Sequence, residues 1–350
     1  MNSSNRLHML PLILLLPVVL GFQQQDDHVS LVHQQGEQRV DVLVDGELFT
    51  SYLYSDVIPV LKKPVLFPVR TARGTAVTRG YPLEPRGGER VDHPHQIGFW
   101  LNYGDVNGFD FWNNSDALSP ERAARSGIIR HRFIKTLESD KGRGILEVST
   151  DWNSPDGRLL LVEDTRFVFR AEGDSRIIDR TTTLTAPDER VAMTDNKEGM
   201  IAMRVARELE HPSSGSVRLT DAGGRPMEEN VTHNDGVSGS YWSSEGLTGE
   251  DVWGKRAPWV ALSGVIGDES VTLAMYDHPQ NPGYPTYWHA RGYGLFSANP
   301  LGQKAFSDGA EELNLVVEQG ESITFKYRFL VHSGESTFGD MQAVYDQFIN

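Results

Sequence analysis

Thr165-Arg166-Phe167-Val168-Phe169-Arg170, a break at Glu172-Gly173-Asp174, then Ile177-Ile178-Asp179-Arg180-Thr181-Thr182-Thr183-Leu184: this stretch decides the fold class. Within each run the residues alternate with the period of a strand that buries one face. Glu172-Gly173-Asp174 between them is a reversal signal. The same pattern extends outward. Upstream, 128–138 and 144–152 read as strands, with turns at Asp140-Lys141-Gly142 and Ser154-Pro155-Asp156-Gly157. Near the start, Val40 to Val44, Asp45-Gly46 and Leu48 to Tyr54 form a hairpin signature, because a type I′ turn needs positive φ at both central residues. Lys62 to Val69 is held extended by its prolines, and Thr75 to Arg79 reads as another strand. Downstream, 260–264, 271–276, 312–318 and 322–332 continue the series, 200–210 fits a strand or a short helix, and 213–249 reads as long loops. Only Thr337 to Phe348 has a helical pattern. Short strands with turns at close intervals predict an all-β fold, a large antiparallel β-sandwich.

The N-terminus stands apart. Arg6 and His8 precede the apolar run Met9 to Gly21, and the chain turns polar at Gln23. That run is short and carries prolines, which predicts a signal peptide over 1–21, a lead-in over 22–39 and one sandwich domain over 40–350. The expected location is therefore periplasmic or secreted, with no membrane span after signal cleavage. The chain has no cysteine, which removes disulfides and thiolate chemistry from consideration. Its formal net charge of −15 argues against nucleic acid as a partner. A small-molecule or oligosaccharide ligand fits better.

Chemistry-bearing residues concentrate in two places. Asp92-His93-Pro94-His95-Gln96-Ile97-Gly98-Phe99-Trp100-Leu101-Asn102-Tyr103-Gly104-Asp105-Val106-Asn107-Gly108-Phe109-Asp110-Phe111-Trp112 reads as a hairpin turning at Asn107-Gly108. In an extended segment His93 and His95 share a face. Far downstream, Asp277 to Gly302 is rich in proline and glycine, and carries Tyr284, Trp288, His289, Arg291 and Asn299. Glu245 and the Trp253–Trp259 segment add a carboxylate, cations and indoles.

Three chemistries fit these residues. The first is a saccharide site, with Trp100, Trp112 and Trp288 as stacking faces. Arg79, Asp92, Asn102, Asp105, Arg291 and Asn299 would serve as polar contacts. His93, His95 and His289 would be acids or bases, with Glu245 in reserve, because histidine titrates near neutrality. The second is a divalent transition metal held by His93, His95 and His289, although no spacing signature for such a site occurs. The third is structural, with histidines bonding loop backbone and tryptophans filling the core. Asp105 to Asp110 partly matches a calcium loop but lacks its glycine and its bidentate glutamate. Phosphate-binding and serine-hydrolase motifs are absent.

Beyond composition and spacing, the succession Lys63-Pro64, Thr78-Arg79-Gly80-Tyr81-Pro82, Asp92-His93-Pro94-His95, Gly104-Asp105-Val106-Asn107-Gly108, Glu245-Gly246-Leu247, Trp253-Gly254, Asn281-Pro282 and Trp288-His289 resembles the secreted bacterial PmoA-like proteins. The resemblance runs from about Val40 to His332. It implies a supersandwich of the galactose-mutarotase type and a link to saccharide catabolism. Mutarotase or epimerase, lyase and hydrolase chemistry are all compatible with it, and so is a non-catalytic sugar-binding module. The family label implies an oxygenase, but the methane monooxygenase subunit of that name is an integral membrane protein and this chain offers no later span. One departure is Gln96, where members commonly carry a second histidine, and its absence weakens a metal reading.

Overall fold

The alternating runs around Gly173 lie at the centre of a sheet. Leu159–Glu172 pairs with Ser175–Thr185 on one side and Arg143–Asn153 on the other, all antiparallel. Phe167 and Phe169, two apart, point to one dry face as the period requires. The computed structural model describes residues 28–350, so the expected signal segment lies outside the described residues. Sixteen strands form one continuous order. It starts at Ser240–Ser243 and runs through Trp259–Ile266, Glu269–Asp277, Ser322–Ser333, Ser175–Thr185, Leu159–Glu172, Arg143–Asn153 and Ile128–Lys141. It continues through His28–Gln34, Arg39–Val44, Glu47–Leu53, Val65–Val69, Phe99–Tyr103, Gly199–Arg204 and Leu295–Asn299 to Tyr287–Trp288.

This sheet folds over on itself. Phe49 meets Phe169 edge-on at 6.3 Å, and Phe99 stacks on Phe329 at 5.1 Å, although their strands are far apart in the order. The two layers therefore enclose a single large core, in which Trp152 and Trp288 are also sealed. Each buried phenylalanine contributes roughly 1.5–3 kcal/mol of transfer free energy before entropy is set against it. The architecture is the expected antiparallel all-β sandwich.

Local signals behaved unevenly. Asp45 and Gly46 take φ of 51° and 87° and close the first hairpin. The helix Phe338–Ile349 starts at Thr337 with a capping box to Asp340 and packs Met341 and Tyr345 against Trp259 and Tyr276. Asn107 and Gly108 turn with φ of 50° and 83°, but the returning segment is not a strand. Asp110 bonds the amides of Trp112 and Asn113 and curls the chain away. Thr75 to Arg79 contributes only isolated bridges. The span expected as loops holds the short hairpin Val217–Thr220 and Pro226–Val231, and residues of the lead-in form the strand His28–Gln34.

One strand positions the site. Gly199–Arg204 is the antiparallel neighbour of both Phe99–Tyr103 and Leu295–Asn299, with Met203 opposite Phe99 and Arg204 opposite Leu295. Its two partners therefore run in the same direction. The loop that enters the first (92–98), the loop that enters the second (289–294) and the segment leaving the shared strand (205–211) all emerge at one end of the sheet.

Candidate active site

The loop before Phe99 is built on a buried guanidinium. Arg79, 1% exposed, donates from Nη1 to the Asp92 and Arg90 carbonyls and to Asp92 Oδ1 at 2.9 Å. Its Nη2 donates to the carbonyls of His93 and Gln96. These bonds, with the Gln96 amide on the His93 carbonyl, hold His93 at a φ of 44°, a conformation that costs a non-glycine residue free energy. Arg204, fully buried on the neighbouring strand, donates to Asp92 Oδ1 at 2.7 Å and to Gln96 Oε1 at 2.5 Å. Burial would raise the Asp92 carboxyl. Arg204, the His93 imidazole and Arg79 outweigh it and hold the group well below the usual carboxylate range. Burial and the adjacent Arg204 push Arg79 down to about 9. Below this pair, Glu210 accepts from Arg90 Nε at 2.6 Å and from Arg207 Nη1.

The two segments meet where His93 stacks on Tyr293, and the three histidines are in unequal states. His93 is the open one, its side chain 41% exposed and its Nδ1 3.4 Å from Asp92 Oδ2. Its ring lies parallel to Tyr293 from the second loop. His95, centred 5.7 Å from His93, is buried with an unpartnered Nε2. Burial, then Lys63 and His93, push it down to about 2. Lys63 is itself buried, donates to the His95 carbonyl at 2.7 Å and is pushed down by burial to about 7. His289 is buried against Phe306 with Nδ1 unpartnered, and burial, Lys197, Arg291 and His93 bring it to about 3. Both buried imidazoles are neutral at working pH, and conjugate acids that strong make poor proton shuttles near neutrality. Of the three histidines expected as acids or bases, His93 alone is open to solvent.

Beside this cluster opens a hollow of about 370 Å³ lined by Arg90, His211, Glu250, Trp253, Arg291 and Tyr293, together with Ala290 and Gly292. Arg291 lies over the Trp253 ring at 5.4 Å and the Tyr293 ring at 5.7 Å, and Tyr293 also faces Arg204 at 4.8 Å. Trp253 Nε1 is buried without a partner. His211 Nε2 accepts from the Tyr241 amide at 3.2 Å, which leaves the neutral ring with its proton on Nδ1. Burial lowers the His211 pKa against the pull of Glu250.

Several expected contacts are elsewhere. Trp100 and Trp112 pack together in an apolar cluster, and Trp100 Nε1 bonds Asn102 Oδ1. Asn102 in turn bonds the Phe111 carbonyl and is fully buried. Trp288 bonds the Ala257 carbonyl inside the core. None of the three tryptophans shows a face to solvent: Trp100 and Trp288 lie on strands buried throughout, and Trp112 packs on Trp100 from the segment that curls away. Asn299 ties the carbonyls of Asn196 and Lys197, and Asp105 caps the Gly108 amide. Arg79 spends its Nη groups on its own loop and Asp92. Glu245 sits exposed on the turn after Ser240–Ser243 and is not part of the hollow; Glu250 is the carboxylate there. Among the described residues no group of three His, Cys, Asp or Glu is placed to hold a metal ion, so His93, His95 and His289 do not form the ligand set considered above. Sequence reading missed Arg90, Arg204, Glu210, His211, Glu250 and Tyr293 as site residues, and noted Trp253 only as part of an indole-bearing segment. For Arg204 and Glu210 the available signal was the close spacing of Arg204, Arg207 and Glu210 at the end of an apolar strand.

A family model, "Family of unknown function (DUF6807)", matches residues 39–346. The chain belongs to this family. Its description does not carry the PmoA-like label. No curated protein matches. Among solved structures, the chain is similar to the α-galactosidase AgaA of Geobacillus stearothermophilus in complex with stachyose, at 13% identity and a TM-score of 0.40. That match covers 85% of this chain and 41% of the galactosidase, so the chain spans about two fifths of that enzyme's length. It is also similar to a galactose mutarotase-like protein of Clostridium acetobutylicum, at 7% identity and a TM-score of 0.36, covering 88% and 99% of the two chains. A galactose mutarotase related enzyme of Lactobacillus acidophilus matches at 10% identity and a TM-score of 0.28, covering 87% and 97%. Among the described residues, no helix is long and apolar enough to cross a membrane.

Proposed function

We propose that this DUF6807 chain is a secreted or periplasmic protein that binds a saccharide in the hollow beside His93. The supporting observation is the wall itself: Arg90, Arg291, Glu250 and His211 bring charged and polar groups to one hollow that the Trp253 and Tyr293 rings also line. A pyranose offers C–H faces to a ring and hydroxyls to directional donors and acceptors, and such a wall supplies both. His93, stacked on the Tyr293 ring of that wall, is the acid/base group in this reading. Its Nδ1 faces Asp92, which Arg79 and Arg204 fix in place, leaving Nε2 for a hydroxyl or ring oxygen of the ligand.

Calorimetric titration with a panel of mono- and oligosaccharides tests the binding step. At least one sugar binds, and Trp253→Ala abolishes the heat; silence across the panel overturns the reading. Conversion of the bound sugar that His93→Ala stops, at unchanged melting temperature, identifies an enzyme. Recovery of the sugar unchanged identifies a binding module.

A further inference from the structure

Charge in and beneath the hollow does not balance. Four guanidinium groups, those of Arg79, Arg90, Arg204 and Arg207, share the carboxylates of Asp92 and Glu210. The nearby Glu89 is taken by Arg86, and Glu198 by Lys197. Arg291 brings a further cation, and among the described residues no carboxylate lies within ion-pair distance of it; its contacts are the two aromatic rings. Arg90, 8% exposed, spends Nε on Glu210, and no described hydrogen bond uses its Nη groups although the residue lines the hollow. Glu250, the one carboxylate in the wall, pairs with neither arginine. Cations in excess at a half-enclosed site stand out on a chain whose net charge is −15.

Arg90 thus keeps its Nη groups free of any described hydrogen bond at the wall, Arg291 stands exposed without a counter-ion, and a cavity lined by both is suited to receive an anion. A guanidinium fork matches a planar carboxylate or a sulfate with two parallel hydrogen bonds. Trp253 and Tyr293 hold the Arg291 fork in place through their ring faces, and Glu250 in the same wall accepts hydroxyls. We infer that the ligand of this hollow is an acidic saccharide, its anionic group held by Arg291 and Arg90. The inference rests on the saccharide reading above and narrows its substrate class.

The test is titration of the full chain with galacturonate and glucuronate oligomers, with 6-sulfated galactose, and with the neutral parent sugars, at two ionic strengths. Acidic sugars bind at least about tenfold tighter than their neutral parents, a gap that shrinks as salt screens it. Preference for uronates or for the sulfate ester distinguishes the two sources of anion. Arg291→Gln removes most of the gap without altering the melting temperature, since Arg291 is exposed. Arg90→Lys, which keeps the charge but loses the fork, weakens acidic sugars selectively. Neutral sugars binding as tightly as acidic ones overturns the inference and leaves the saccharide reading standing. Failure of every sugar to bind overturns both.

Discussion

The imidazole of His93 and the phenol ring of Tyr293 lie 5.1 Å apart with their planes inclined by 5°. Two hundred positions separate them in sequence. Their stack welds the loop before Phe99 to the loop before Leu295, and Tyr293 carries the contact onward to Arg204 and Arg291.

That stack is measurable as a coupling. Urea unfolding of His93→Ala, Tyr293→Ala and the double variant will give an interaction free energy of about 0.5–1.5 kcal/mol. Strictly additive losses would show that the two loops are held together by other contacts.

Asp92 is the counter-ion of two buried arginines. Asp92→Asn keeps the shape but leaves Arg79 and Arg204 facing a neutral amide, and will cost about 3 kcal/mol in unfolding free energy. The carboxyl is held below its usual range, so its contribution is complete above the unfolded value of about 3.9 and drains away as pH falls toward the folded value. Wild type will therefore lose more stability than Asp92→Asn as pH falls below about 4. Parallel acid profiles for the two proteins would count against this role.

The two sealed histidines predict an earlier acid phase. Their folded values, about 2 for His95 and about 3 for His289, lie below the unfolded value near 6.5, so the unfolded chain takes up the protons first. Stability is full above about pH 6.5 and falls below it by up to about 1.4 kcal/mol per pH unit per histidine. His289→Gln will flatten that slope between pH 6.5 and 4. Nitrogen-15 spectra showing either ring protonated at pH 5.5 would contradict the burial argument.

Gly292 sets the clearance of the hollow. A Cβ there would stand 3.1 Å from Glu250 Oε1 and 3.3 Å from His211 Cβ, and its backbone is one alanine can adopt. Gly292→Ala will keep the melting temperature within about 2 °C while weakening saccharide binding about tenfold. Unchanged affinity in the folded variant would place the ligand elsewhere.

The all-β class was legible because the strands flanking Gly173 bury one face and wet the other, and Asp45-Gly46 marked its hairpin through required backbone angles. Trp100 misled for the opposite reason. All five residues of Phe99–Tyr103 are buried, so its alternation separates two dry faces, not a dry one from a wet one. Asn102 looked like a ligand for sugar but serves its own neighbours. Arg204 and Glu210 escaped notice because a charged side chain in sequence reads as surface until its partner is known, and Asp92 lies 112 positions away. Meeting of the His93 and His289 segments was an expectation from composition; its cause, a shared neighbouring strand, is a property of strand order that no local pattern encodes.

Gly199–Arg204 also sets the geometry of what can change. With one strand between them, the roots of the two site-bearing loops are fixed about two strand spacings, roughly 9.5 Å, apart. Side chains on either loop can be exchanged without moving that frame. Relatives built on the same scaffold are free to differ in what they recognise while keeping the distance across which recognition takes place.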